Sequence, residues 1–238
     1  MMRFSKIGVI ILCSLFISCK SDIETYFPLG EKRMWSYRVD IIPEIEKKII
    51  FKKISSGLEK QKIQLLENEE DIYAYPIQRE NQSIYFYSYS KKGIKRLGYQ
   101  EASGDKFIFD KKDRFVIKYP LEKGNSWNSI SKTYLTLRRY PYFDYKAITD
   151  FNILHEIVST SDVVQVPAGK FKNCLKINGF GETSFLADRE IGSINIRINT
   201  TDWFAPNIGL IKSVRIEQTD TDLFGTTKMV KVLDKFNY

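Results

Sequence analysis

A chain of 238 residues with 43% hydrophobic and 28% charged side chains has a globular composition, which excludes a disordered or low-complexity chain. Its 14 tyrosines and 16 phenylalanines favour strands over helices. The formal charge of +8 suits an acidic partner such as an anionic headgroup or glycan, yet lysines and arginines are interleaved with acids and form no long basic tract.

The chain opens with the parts of an export leader. Arg3 and Lys6 supply the positive start, and Ile7 to Ile17 follow as an apolar run broken by Gly8, Cys13 and Ser14. A membrane span takes about 20 apolar residues, so this run has the length of a leader. Leu15-Phe16-Ile17-Ser18-Cys19 resembles the bacterial lipobox, in which a small residue precedes a cysteine that is acylated and becomes the new N-terminus. Phe16 stands where that pattern usually has leucine. The resemblance implies a leader over 1–18, a lipid on Cys19, a polar tether over 19–24 and a membrane as the standing partner, since two acyl chains suffice for stable attachment. The other reading is an ordinary secretory leader with an incidental Cys19. Lys20 occupies the place where, by the familiar sorting rule, aspartate retains a lipoprotein at the inner membrane; the resemblance therefore implies the outer membrane. Export makes nucleic acid a poor partner. With Cys13 removed and Cys19 acylated, Cys174 is the one thiol left, so no internal disulfide forms.

Residues 25–238 read as one β-rich domain. Phe27-Pro28-Leu29-Gly30 leads to Trp35, and Tyr119-Pro120-Leu121-Glu122-Lys123-Gly124 leads to Trp127; in each, Pro and Gly build a corner while Leu and Trp fill the core beside it. Whether the two corners mark a duplication stays open. Leu58–Glu70 lacks an apolar helical stripe, and Asn68–Asp71 reads as a polar reversal. Ile84–Tyr89 is aromatic on both faces, as in a strand covered on each side. Cys174 lies in the alternating stretch Phe171–Ile177, a core setting. Ile194, Ile196 and Ile198 alternate with Asn195, Arg197 and Asn199. Val214 and Ile216 alternate with Ser213, Arg215 and Glu217; Val230 and Val232 do so less cleanly with Lys228, Lys231 and Asp234. Turns are marked at Lys92-Gly93, Ser103-Gly104, Lys123-Gly124, Ala168-Gly169 and Phe224-Gly225. The short links imply antiparallel pairing. The expected fold class is all-β with few short helices: a large twisted antiparallel sheet, as an open or half barrel or a sandwich.

The two corners, together with Val166-Pro167-Ala168-Gly169-Lys170-Phe171 and Trp203-Phe204-Ala205-Pro206-Asn207-Ile208-Gly209, resemble a group of β-rich bacterial envelope lipoproteins. Some members are similar to half-barrel carriers that shelter acyl chains. The resemblance implies non-enzymatic binding of an apolar ligand, a lipid or acyl chain, in a curved sheet. Read by themselves, Pro167-Ala168-Gly169 is a tight turn, and Ala205–Gly209 is a reversal anchored by Trp203 and Phe204.

Little in the chain points to catalysis. His155 is the only histidine, which excludes multi-histidine metal sites, and no Gly-x-Ser-x-Gly elbow presents a nucleophile. Asp220-Thr221-Asp222 and Glu69-Glu70-Asp71 lack the glycine and distal glutamate of a calcium loop and read as solvated loops. There is no phosphate-cradling loop and no dinucleotide fingerprint. The expectation is no catalytic residue, no cofactor and no metal. The surface candidate is Tyr134–Tyr145, where Arg138, Tyr140, Tyr142 and Phe143 are of types enriched in binding hot spots and Pro141 interrupts the strand. This gives the alternative function, a surface or scaffold lipoprotein that binds protein or glycan through an aromatic and basic patch; its competitor is a loop packed back over the sheet edge. Mass spectrometry of the mature protein from its native host is expected to find Cys19 acylated at the N-terminus, and an unmodified Cys19 would end the lipoprotein reading.

Overall fold

The computed structural model describes residues 25–44, 47–64, 71–104, 106–133, 135–139, 143–188, 192–222 and 224–237. Among them every regular element is a strand: β1 (Met34–Pro43), β2 (Ile49–Gly57), β3 (Gln61–Gln64), β4 (Asp71–Arg79), β5 (Ile84–Ser90), β6 (Gly93–Gln100), β7 (Ile108–Lys118), β8 (Ser126–Lys132), β9 (Leu135–Arg139), β10 (Phe143–Ala147), β11 (Asp150–Val166), β12 (Gly169–Asp188), β13 (Gly192–Ala205), β14 (Gly209–Thr219) and β15 (Thr226–Asn237). The few short helices expected do not occur among the described residues, because tight turns join the strands and leave no segment long enough to sustain one.

Thirteen strands form one sheet in the order β7-β6-β5-β4-β2-β1-β15-β14-β13-β12-β11-β8, with β3 added beside β4; β9 and β10 make a separate hairpin. The pairing is antiparallel throughout. The order describes two meanders laid head to tail. One runs from β1 to β7 and the other from β8 to β15, and the ladder from Met34↔Asn237 to Pro43↔Thr227 fuses them. The edge strands β7 and β8 are consecutive in the chain, so the sheet has rolled until its edges face one another. They touch without pairing: Trp127 Nε1 donates to the Phe115 carbonyl at 3.2 Å, and Ile117, Trp127 and Ile157 share a buried cluster. The architecture is an open barrel with one unlaced seam.

Each meander begins with one of the Pro-Leu, Gly, Trp corners. Trp35 enters β1 and Trp127 enters β8, both buried. The corners lie at the same end, here called the lower end, and both strands run upward from it. At that end the long β11–β12 hairpin changes register between Ile157 and Val164 and its tip packs on β15. Ala168 N donates to the Leu233 carbonyl at 3.1 Å, and the Phe171 and Phe236 rings are 6.1 Å apart. Trp35, Tyr37, Val166, Cys174 and Leu233 close the lower end as one apolar cluster, and Phe151, Ile194, Ile196, Ile198 and Phe224 form another towards the top.

Between these clusters the alternation turns over. In β13 the isoleucines face inward. In β14 it is Ser213 and Arg215 that share a face with Asp202 and Thr200 across the ladder, while in β15 it is Lys231 that lies opposite Ser213 and buried Val39. Each fully buried aliphatic side chain contributes about 1.5–3 kcal/mol. Ile157→Ala, in the cluster that holds the seam, is expected to lower stability by about 2–5 kcal/mol in urea unfolding with an unchanged slope. Leu186→Ala, at a side chain 75% exposed, is expected to shift it by less than about 0.5 kcal/mol.

Candidate functional site

The residues singled out in the sequence do not form a site together. Cys19, Tyr140 and Tyr142 lie outside the described residues, as do Glu69 and Glu70. Arg138 and Phe143 belong to the β9–β10 hairpin, where Asp144 pairs with Arg138 and Phe143 with Arg139. Asp220 is committed within the fold: Asn195 donates to it from its backbone N at 2.9 Å and from Nδ2 at 2.7 Å, which holds the carboxyl below its ordinary range. Cys174 is buried, and burial with the nearby Asp162 carboxylate pushes its thiol up to about 11, far from a reactive thiolate. Among the described residues no three His, Cys, Asp and Glu side chains gather closely enough to hold a metal ion.

Polar side chains converge in an open hollow of about 570 Å³ lined by Glu182, Asn195, Arg197 and Asp220, and in two smaller cavities on the inner face of the roll. The lower one holds about 170 Å³ and is walled by Trp35 and Tyr37 of β1, Arg79 of β4, Tyr87 of β5 and Lys231 of β15, with Phe27 and Pro28 against it. Its aromatic walls are fixed by their polar tips: Trp35 Nε1 donates to the Ile208 carbonyl at 2.7 Å and Tyr37 OH to the Leu210 carbonyl at 3.0 Å. The Arg79 guanidinium stacks 3.7 Å from the Tyr85 ring centre, and Lys231 Nζ lies 4.8 Å from that of Tyr37. Among the described residues no carboxylate lines this cavity, although Asp202 and Glu80 both act on Lys231 from nearby. Burial lowers the Lys231 pKa to about 8, against the pull of Asp202 and with the push of Arg79 and Lys53. The lower cavity thus has aromatic walls with half-buried Lys231 and exposed Arg79 among its lining residues.

The upper cavity holds about 230 Å³ and lies at the seam, between Arg114 of β7, Ser129 and Ser131 of β8, His155 of β11, Asp202 of β13 and Arg215 of β14. Arg215 is braced by Glu217 at 2.6 Å, the Lys132 carbonyl at 2.8 Å and Ser131 Oγ at 3.4 Å. Burial raises the Asp202 pKa, opposed by the Ser213 hydrogen bond and by Lys231 and Arg215. Thr200 Oγ1 is buried without a hydrogen-bond partner among the described residues. Gly179 is the reason it has room: a Cβ there would lie 2.3 Å from that oxygen and 2.9 Å from Ile153 Cδ1.

One nucleophile and base geometry occurs in this cavity. Ser129 Oγ lies 2.9 Å from His155 Nε2, and the imidazole stacks on Trp127 with centres 5.4 Å apart. Burial first, then Arg114, lowers the His155 pKa to about 4. An imidazole so weak is a poor general base at neutral pH, and among the described residues no carboxylate accepts a hydrogen bond from its other nitrogen. What the two cavities offer chemically is charge and hydrogen bonding in a confined space.

Sequence reading missed Arg79, Arg114, Arg215 and Lys231 because each stands singly among alternating residues of its own strand, and only the rolled sheet brings them to one face.

No family model and no curated protein matches the chain. Two solved structures are similar to it. One is a protein described as exported, with a YmcC-like fold, from Bacteroides fragilis, 15% identical over 90% of this chain and all of its own, with a TM-score of 0.40. The other is a protein described as a lipoprotein from Parabacteroides distasonis, 15% identical over 91% of this chain and all of its own, with a TM-score of 0.41.

The depressed His155 pKa has a sign. Between about 6.5, the unfolded value, and about 4, the unfolded chain binds a proton that the folded chain refuses. The contribution of neutral His155 is therefore complete above about pH 6.5 and is lost as the pH falls to about 4, by up to about 3 kcal/mol. An NMR titration is expected to place the imidazole midpoint near 4, and His155→Gln to flatten this part of the stability curve; a midpoint at or above 6.5 would contradict the buried, neutral ring.

Proposed function

We propose that this chain is an exported lipoprotein, tethered through Cys19 to the outer membrane, that works by non-enzymatic binding and takes the acidic group of a polar ligand on the inner face of its rolled sheet. The tether rests on the leader and lipobox residues, and the outer membrane on Lys20. The single observation that carries the ligand class is the lower cavity, where Arg79 and Lys231 face a shared space with aromatic walls and, among the described residues, no acid in its lining. Lys231 is half-buried and Arg79 exposed; Arg79 adds to the lowering of the Lys231 pKa, and an incoming anion offsets that repulsion. Aromatic faces beside them suit a ring or the apolar face of a sugar.

An acyl chain fits this face less well. It would place hydrocarbon against the charged heads of Arg79 and Lys231 below and of Arg114, Asp202 and Arg215 above, offering no hydrogen bond in place of the water it displaces. Binding outranks catalysis because the one Ser and His pair has a base too weak for the work. The alternative patch at Arg138, Tyr140, Tyr142 and Phe143 rests on sequence alone, and no described side chain supports it.

The test uses glucuronate and inorganic phosphate as probes, with glucose as the uncharged control, followed by thermal shift and calorimetry. Glucuronate, phosphate or both are expected to stabilise the protein in a concentration-dependent way, and glucose to do nothing. A glucuronate preference assigns a glycan-type carboxylate, and a phosphate preference a headgroup-type phosphoryl group. Arg79→Met and Lys231→Met are expected to weaken binding about tenfold or more, as removal of a charge-assisted contact does. Lys231→Met is expected to keep or raise stability, because it removes a desolvated charge. Equal responses to glucose and the anions, or undiminished binding by both variants, would refute the acidic-ligand reading.

A further inference from the structure

We propose that the lower end of the barrel is a membrane-docking face, a basic rim that lies on anionic headgroups around the point where the tether leaves the fold. The tether itself belongs to the lipoprotein reading above; the rim is a property of the folded domain.

In an up-and-down meander, alternate turns fall at opposite ends. The lower turns are gathered on the N-terminal segment. Thr25 N donates to Asn207 Oδ1 at 3.2 Å, and Asn207 N donates back to the Thr25 carbonyl at 2.8 Å. Tyr26 OH donates to the Asn173 carbonyl at 2.9 Å, next to the β11–β12 tip. Leu29 N donates to Tyr89 OH at 2.9 Å, at the foot of β5, and Tyr119 N to the Lys92 carbonyl at 2.9 Å. Gly57 N donates to the Arg33 carbonyl at 2.8 Å. The segment from Thr25 to Arg33 thus runs across this end, bonded to the β13–β14 corner, the β11–β12 tip, β5 and β2.

The charges on these turns are strongly biased. Among the described residues of these turns Lys32, Lys60, Lys91, Lys92, Lys123, Lys170 and Lys172 are all exposed, opposed by Glu31, Glu59 and Glu122; the β3–β4 link lies outside the described residues. The described turns at the upper end carry no such excess: Glu44, Glu80, Glu101, Asp220 and Asp222 stand beside Lys47, Lys48 and Lys106. Among the described turns positive charge is therefore gathered at the lower end. Each cationic pair comes from a different turn, and for that reason no basic tract is visible in the sequence.

Reach and charge identify the occupant. From Cys19 to Thr25 the chain spans at most roughly 20 Å at about 3.3–3.6 Å per residue. A lipid on Cys19 therefore holds this end close enough for the rim to meet the bilayer surface, where attraction acts within about 8 Å at physiological salt. Juxtamembrane lysine clusters are drawn to anionic headgroups, and a lipid chain joined to a basic patch makes a two-signal anchor. The rim also sets orientation, since with the lower end down the upper turns point away from the membrane.

The test uses the mature chain from Lys20 without its lipid, which keeps every described strand, sedimented with vesicles of phosphatidylglycerol and phosphatidylcholine or of phosphatidylcholine alone. Binding is expected to the anionic vesicles only and to fall as salt rises. The pair Lys170→Glu and Lys172→Glu is expected to weaken it about tenfold, while Lys47→Glu with Lys106→Glu, equal in net charge but at the upper end, is expected to change it less than about twofold. Urea midpoints for both pairs check that each is folded. Equal loss from the two pairs, or equal binding to both kinds of vesicle, would overturn the rim. Acylation of Cys19 is read separately by mass spectrometry, so failure of the rim and failure of the tether are distinct results.

Discussion

Everything else in the molecule depends on the ladder between β1 and β15. It joins residues at opposite ends of the chain, Met34 with Asn237 through Pro43 with Thr227, and it turns two meanders into one vessel. Without it there would be two sheets, each with one face to the solvent and neither with an interior. Such long-range pairing closes a large loop, which is entropically costly before contacts reward it. The compensation is visible nearby: Trp35 and Tyr37 on β1 bond to the β13–β14 corner at Ile208 and to Leu210, and the β11–β12 tip packs on Leu233 of β15. The same ladder sets Tyr37 and Lys231 side by side, so the closure that makes the fold also makes the lower cavity.

The two seams of the roll contrast. One is laced by the β1–β15 ladder. The other, between β7 and β8, is held at its lower part by Trp127, Phe115 and Ile157 and carries a cavity lined by Arg114, Ser129 and His155. Unpaired edges are a liability that proteins normally cover or charge. Here the two edges face each other, which shields them and leaves the upper cavity at the gap between them. The polar inner face has a cost in stability. Arg215 is braced on three sides, Asp202 is desolvated and Lys231 gives up part of its basicity. A protein selected for stability alone would fill that layer with hydrocarbon.

The proposed ligand face and the proposed docking face share one frame. Phe27 and Pro28, which wall the lower cavity, belong to the segment on which the lower turns are gathered. The lower cavity therefore sits just above the basic rim, and the upper cavity sits farther from it. Charge of the same sign stands at both levels, spread over exposed turns in one place and set beside aromatic rings in the other.

The sequence by itself determined the all-β class, the antiparallel pairing and the corner positions, because these follow from local rules: period-two alternation, short links, and Pro and Gly at fixed offsets from a tryptophan. It placed Trp35 and Trp127 in the core, Cys174 in a buried setting and the reversal at Ala205–Gly209. It could mark Val214, Ile216, Val230 and Val232 as one side of their strands, but alternation is symmetric and does not say which side is inside. The tertiary structure decided that. The roll turns Arg215 and Lys231 inward, gathers Lys32, Lys92, Lys123 and Lys170 from separate turns at one end, and leaves Gly179 to make room above Thr200. A closed ladder defines an inside, and an inside exists only once residues two hundred positions apart have paired.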